Sequence, residues 1–183
     1  MTRYLIVEGA DGTGTTTHAD LLAVALRAEG IDARAFHHVA PRLGDVWRDA
    51  LAYASQRAAL VAAPPAEVVV CDRWHTSTFV EAEALAATCG IDEARAALSN
   101  AMLKLRRAEA GVLPPSALEV VLDAPDDVLD ARLGARGESA SKIDHARRSV
   151  YRWIARDLVR IDTARPVAEV TRELLELALA ALR

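Results

Sequence analysis

Residues 9 to 16 read Gly9-Ala10-Asp11-Gly12-Thr13-Gly14-Thr15-Thr16. This is the spacing of a phosphate-binding loop, G-x-x-x-x-G-K-[ST], with a threonine where the lysine belongs. Glycines at those places let successive backbone N–H groups turn inward on an anion, and a helix N-terminus behind them adds partial positive charge. Thr16 keeps the hydroxyl that such loops offer to Mg²⁺. Gly9, Gly12, Gly14 and Thr16, with Thr13, Thr15 and Thr17 between and beside them, are therefore the expected site for ATP and Mg²⁺. The absent lysine removes the charge that normally reaches the β- and γ-phosphates, so nucleotide binding follows more directly than rapid phosphoryl transfer. A second group, Asp72-Arg73-Trp74, closes the most apolar run of the chain. It could set a carboxylate near Mg²⁺ or an acceptor hydroxyl and a guanidinium on a phosphate, or form only a surface ion pair at a strand end.

These groups must be held by strands and helices that alternate. Tyr4–Val7, Ala33–Phe36, Glu67–Cys71, Leu118–Asp123 and Val159–Asp162 read as strands, the third apolar throughout, as expected of a strand covered on both faces. Helical spacing is expected from Thr17, over Gly44–Ala62, Ser77–Ala87, Asp92–Ala108 and Pro125–Leu133, from Ile143 to about Asp157, and after Pro166. Leu98, Met102 and Leu105, and likewise Ala146, Val150, Trp153 and Ile154, read as core stripes. Alternating βα units predict an α/β fold of three layers, a central five-stranded parallel sheet covered by helices on both faces. In such sheets ligands bind beyond the carboxyl ends of the strands, where Asp11, His37-His38, Asp72-Arg73 and Asp123 fall. Gly134 to Lys142 is too polar for core. His18, His75 and His145 are expected to face solvent.

Composition bounds the rest. A chain of 183 residues is expected to form one domain, and a net charge of −4 provides no basic field for nucleic acid. Lysine occurs only at Lys104 and Lys142, so cationic recognition falls to arginine. Two cysteines give no disulfide framework, and Cys71 reads as a buried thiol. No apolar run approaches membrane-spanning length, and the first strand begins without room for a signal peptide. A cytoplasmic protein with no membrane partner is expected.

Taken in order, Val7-Glu8-Gly9 and the loop, Asp72-Arg73-Trp74 with Ser77 and Thr78, Leu122-Asp123-Ala124-Pro125, Arg132, Arg136-Gly137-Glu138 and Ile161-Asp162-Thr163 resemble thymidylate kinase. Leu43–Leu51 and Ala54-Ser55-Gln56-Arg57 are similar to two helical stretches of that family, so the likeness runs along nearly the whole chain. The resemblance implies a P-loop kinase fold, a homodimer, and transfer of the ATP γ-phosphoryl group to a pyrimidine (deoxy)nucleoside monophosphate in nucleotide biosynthesis. It implies that Asp11 holds the acceptor sugar, Asp72 positions acceptor phosphate and metal, Arg73 takes that phosphate and Arg57 meets the base. Residues 134–142 would be a lid delivering Arg136, Lys142 and Arg132 to ATP, while Trp74, Ser77 and Glu81 would line the acceptor side. The family's arginine-glutamate-proline-glycine segment is replaced by Phe36-His37-His38-Val39-Ala40-Pro41-Arg42, where His38 and Arg42 are the candidate substitutes for its arginine. Two other readings stay open: a kinase of a modified nucleoside, motivated by that segment, and a nucleotide-binding pseudokinase, motivated by Thr15.

Overall fold

A computed structural model describes residues 2–38, 66–89 and 116–183. Arg42, Arg57 and the helices expected over 44–62 and 92–108 lie outside the described residues. The strands β1 (Arg3–Gly9), β2 (Ala33–His37), β3 (Val68–Asp72), β4 (Leu118–Asp123) and β5 (Val159–Asp162) form one five-stranded parallel sheet in the order β2-β3-β1-β4-β5. The described helices are α1 (Thr15–Ala28), α2 (His75–Cys89), α3 (Asp126–Ala135), α4 (Lys142–Ile154) and α5 (Val167–Ala181). The expected α/β architecture of three layers is present. Because β1, β3 and β4 are flanked by strands on both edges and by helices on both faces, most of their side chains are apolar on both sides, with Glu8, Asp72 and Asp123 the buried acidic exceptions.

The alternation of each strand sorts these side chains. Leu5 and Val7 of β1 pack with Val70, Leu122 and Ile161 beneath α1 (Leu22, Leu26) and α5 (Val170, Leu174). Tyr4 and Ile6 point the other way, joining Val69, Cys71 and Trp74. Next to them Ala10 and Val121 meet Val80 of α2 and Tyr151 of α4. Each fully buried aliphatic side chain contributes about 1.5–3 kcal/mol, so these layers fix the sheet on which the loops stand. Cys71 is buried, as its strand position implies. Among the described residues no helix is long and apolar enough to cross a membrane.

Two expectations, one from helical spacing and one for a solvent-facing histidine, are corrected. Trp153 is 58% exposed and stacks on Phe79 at 6.5 Å between ring centroids instead of entering the core. The inner stripe of α4 is Arg148, Tyr151 and Ala155, rotated by about one residue from the purely apolar pattern. His18 is also buried, at 3% exposure, whereas His145 is exposed as expected.

Candidate functional site

The loop between β1 and α1 is closely packed and places glycine where no other residue fits. A Cβ at Gly9 would fall 2.5 Å from Thr13 Oγ1 and 2.8 Å from the Leu122 carbonyl oxygen, which excludes any side chain there. Gly12 and Gly14 have φ of 90° and 86°, a left-handed conformation that glycine adopts without cost. Thr13 donates its hydroxyl to the Ala10 carbonyl at 2.8 Å, a bond within the loop. Gly14 caps α1 without any side-chain hydrogen bond, and the first intrahelical bond runs from His18 N–H to the Gly14 carbonyl. The N–H groups of the first turn are thus left without helical acceptors, at the positive end of the helix dipole. Arg132 braces the loop from outside, donating to the Gly12 carbonyl at 3.1 Å and to Thr163 Oγ1 and carbonyl at 3.2 and 2.6 Å. His18 packs under Gly14, where burial and the nearby Arg132 hold its pKa below the ordinary value.

Beside the loop stands the end of β3. Thr16 Oγ1 donates to Asp72 Oδ2 at 2.5 Å, and His37 Nδ1 lies 3.3 Å from the same oxygen. Asp72 is 3% exposed, yet its Oδ1 has no hydrogen-bond partner among the described residues. A bare buried carboxylate oxygen signals a group to be received. One hydroxyl and one carboxylate side by side suit Mg²⁺, which takes most of its remaining oxygen ligands from phosphate and water. Arg73 follows in the left-handed region, with φ of 72°, its N–H donating to the Val7 carbonyl at 2.9 Å. This backbone conformation is costly for a residue with a Cβ and clusters at functional positions. Arg73 then reaches Asp11 Oδ1 at 2.6 Å, joining two segments 62 residues apart. Burial works against its charge, but Tyr151, Asp11, Asp72 and Glu8 outweigh it and raise its pKa further.

Glu8 ties this corner together. Its carboxylate accepts from Trp74 N–H at 2.6 Å, from Ser77 N–H at 3.2 Å, from Ser77 Oγ and from Tyr151 OH at 3.2 Å. Burial, helped by Glu119, pushes its carboxyl up to about 7 against the Ser77 hydrogen bonds and the charge of Arg73. The folded state therefore binds this proton more tightly than the unfolded chain, and the stability Glu8 contributes falls as pH rises from about 4.5 to about 7. Glu8→Gln should abolish that slope. Its stability relative to the parent, measured by denaturant unfolding between pH 4.5 and 8, should improve with rising pH by about 3 kcal/mol, whatever constant offset the amide brings. A pH-independent difference would contradict the assignment.

No family model and no curated protein matches the chain. What the site can do is read from its own side chains.

The structure brings Gly9, Gly12, Gly14, Thr16, Asp72, Arg73 and Asp11 to one edge of the sheet, and it sends several other candidates elsewhere. Trp74 packs its ring on Tyr4 at 5.7 Å within a buried cluster. Ser77 is engaged by Glu8 and, at 2.8 Å, by Tyr151. Glu81 accepts from Arg147 Nε at 2.6 Å and from Arg147 Nη2, with Asp144 on the same guanidinium at 2.7 Å, locking α2 to α4. His38 is buried between Phe36 and Trp74, edge-on to both. Thr15 is buried as the first residue of α1, and Thr17 is exposed on its first turn. Of the expected lid, Gly134 and Ala135 finish α3 and Lys142 opens α4, so only residues 136–141 connect the helices. Arg136 pairs with Glu138 at 3.4 Å and Lys142 is exposed.

Two further residues gain a place at the site: His37, which the sequence put only at a strand end, and Arg148, which it did not single out. His37 faces Asp72 because the two are register partners in neighbouring parallel strands. Arg148 is 1% exposed, donates from Nη1 to Asp130 at 2.7 Å, and leaves Nε and Nη2 without hydrogen-bond partners. It stands one turn along α4 from Tyr151, which touches Glu8, and it pairs with α3, whose Leu129 backs Gly12.

Proposed function

We propose that the chain is a nucleotide kinase of the thymidylate kinase type, transferring the γ-phosphoryl group of Mg·ATP to a pyrimidine (deoxy)nucleoside monophosphate. The carrying observation is the convergence of the glycine loop, with its left-handed turns, the Thr16–Asp72 contact and the Arg73–Asp11 pair at the carboxyl edge of the sheet. The loop N–H groups receive the β- and γ-phosphates. Thr16 and Asp72 would hold Mg²⁺, which would supply charge neutralisation at the phosphoryl oxygens. Arg73, oriented by Asp11, takes the acceptor phosphate. An acceptor phosphate oxygen forms a bond to the γ-phosphorus while the bond to the β–γ bridging oxygen breaks, and ADP leaves with that electron pair. The protein's work is positioning and charge compensation. The resemblance to that family implies a homodimer as the working form, to be tested by sedimentation.

With an excess of about 100-fold over Kd, Mg·ATP should stabilise the protein by about 3 kcal/mol through binding to the folded state alone. Thermal unfolding with Mg·ATP, other triphosphates and no nucleotide checks this, and no shift with any triphosphate overturns the reading. Thr15, buried and uncharged, favours a second reading as a nucleotide sensor that binds without turnover. Binding of Mg·ATP with no ADP release on any acceptor would decide for the sensor.

A further inference from the structure

His37 has both ring nitrogens on carboxylates: Nδ1 lies 3.3 Å from Asp72 Oδ2 and Nε2 lies 3.1 Å from Asp20 Oδ1. A carboxylate only accepts hydrogen bonds, so the Asp72 contact is made by an Nδ1–H. The oxygen it meets is the one already held by Thr16 Oγ1 at 2.5 Å, while Oδ1 of the same carboxylate is bare and buried. Two donors on one oxygen fix the rotation of the carboxylate about its Cβ–Cγ bond. Asp20 in turn fixes the imidazole, which is otherwise 42% exposed and free to swing. The chain Asp20–His37–Asp72–Thr16 thus crosses from α1 to β2 to β3 and back to α1.

We propose that His37 is a positioning residue that, together with Thr16, turns the bare oxygen of Asp72 toward the cation accompanying a bound triphosphate. The inference rests on the kinase reading and gives the site a part that a glycine loop and a carboxylate alone do not supply. Partners that orient a metal-binding carboxylate typically set metal affinity by about 10- to 100-fold.

The test is ATP binding by calorimetry, with EDTA and across a Mg²⁺ titration, for the parent, His37→Ala, His37→Asn and His37→Gln. Asparagine puts an N–H donor near the position of Nδ1, and glutamine puts one near Nε2. Metal-free ATP affinity should be the same in all four proteins. The Mg²⁺ concentration that half-saturates the enhancement should rise about 10- to 100-fold in His37→Ala and His37→Gln and stay near the parent value in His37→Asn. An unchanged Mg²⁺ dependence in His37→Ala would overturn the inference while leaving the kinase reading intact. So would equal behaviour of the asparagine and glutamine variants, or a loss of ATP affinity of the same size in EDTA, which would mark a merely structural role. If the parent protein binds no ATP under either condition, the kinase reading itself falls and the inference falls with it.

Discussion

Replacing Thr15 by lysine is expected to raise kcat by about 10²- to 10³-fold with little change in ATP affinity. A preorganised charge aimed at the developing negative charge is worth about 3–4 kcal/mol at the transition state, and threonine supplies a hydroxyl without charge or reach. Thr15 begins α1 with its methyl group beside Gly9, so a lysine there starts from the loop's own rim. The parent protein must draw its charge from elsewhere. Arg136 is paired with Glu138 and Lys142 is exposed, whereas Arg148 is buried with two unpartnered nitrogens next to the helix that backs Gly12. Arg148→Met should therefore lower kcat by about 10- to 100-fold in the parent and by less in the Thr15→Lys background. The fold should tolerate the change, because its partners Asp126 and Asp130 are nearly half exposed and regain water. Steady-state kinetics of the double-mutant cycle would read the coupling. Additive effects, or larger losses from Arg136→Ala and Lys142→Ala than from Arg148→Met, would place the compensating charge on the connecting segment instead.

Asp72→Asn should lower kcat by about 10²- to 10³-fold while the melting temperature holds or rises. The substitution keeps the shape and an acceptor for Thr16 Oγ1, and Arg73 retains its ion pair with Asp11. It removes a charge that is buried with one oxygen unpartnered, a costly arrangement that folding alone does not require. Activity and stability moving in opposite directions is the mark of a residue kept for function. A fall in both would make Asp72 a structural anchor at the end of β3. Circular dichroism melts and ADP release on the same preparation measure the two quantities together.

The sheet was legible because its strands are nearly continuous apolar runs set between helical stretches, and burial on both faces leaves little else that such runs can be. The loop was legible because left-handed backbone at residues 12 and 14 demands glycine at a fixed spacing. Its helix starts at Thr15, two residues before the expected Thr17, since Gly14 itself serves as the cap. What escaped depends on contacts far apart in the chain. His37 and His38 are adjacent and alike, yet the register of β2 on β3 sets the first opposite Asp72, while the second, just past the strand, is buried beside Trp74. Arg148 is buried because Asp130, on another helix, meets it, so an apolar stripe placed Trp153 inward instead. Glu81 finds Arg147 across 66 residues of chain, a pairing with no local signal.

The central claim is phosphoryl transfer to a pyrimidine nucleoside monophosphate. The most direct measurement incubates the protein with Mg·ATP and a panel of nucleoside monophosphates and unphosphorylated nucleosides, and follows ADP together with the phosphorylated product. The account predicts stoichiometric ADP and nucleoside diphosphate with a pyrimidine deoxynucleoside monophosphate, lost in Asp72→Asn and strengthened in Thr15→Lys. Binding of Mg·ATP with no product on any acceptor, or product only from an unphosphorylated nucleoside, would contradict it.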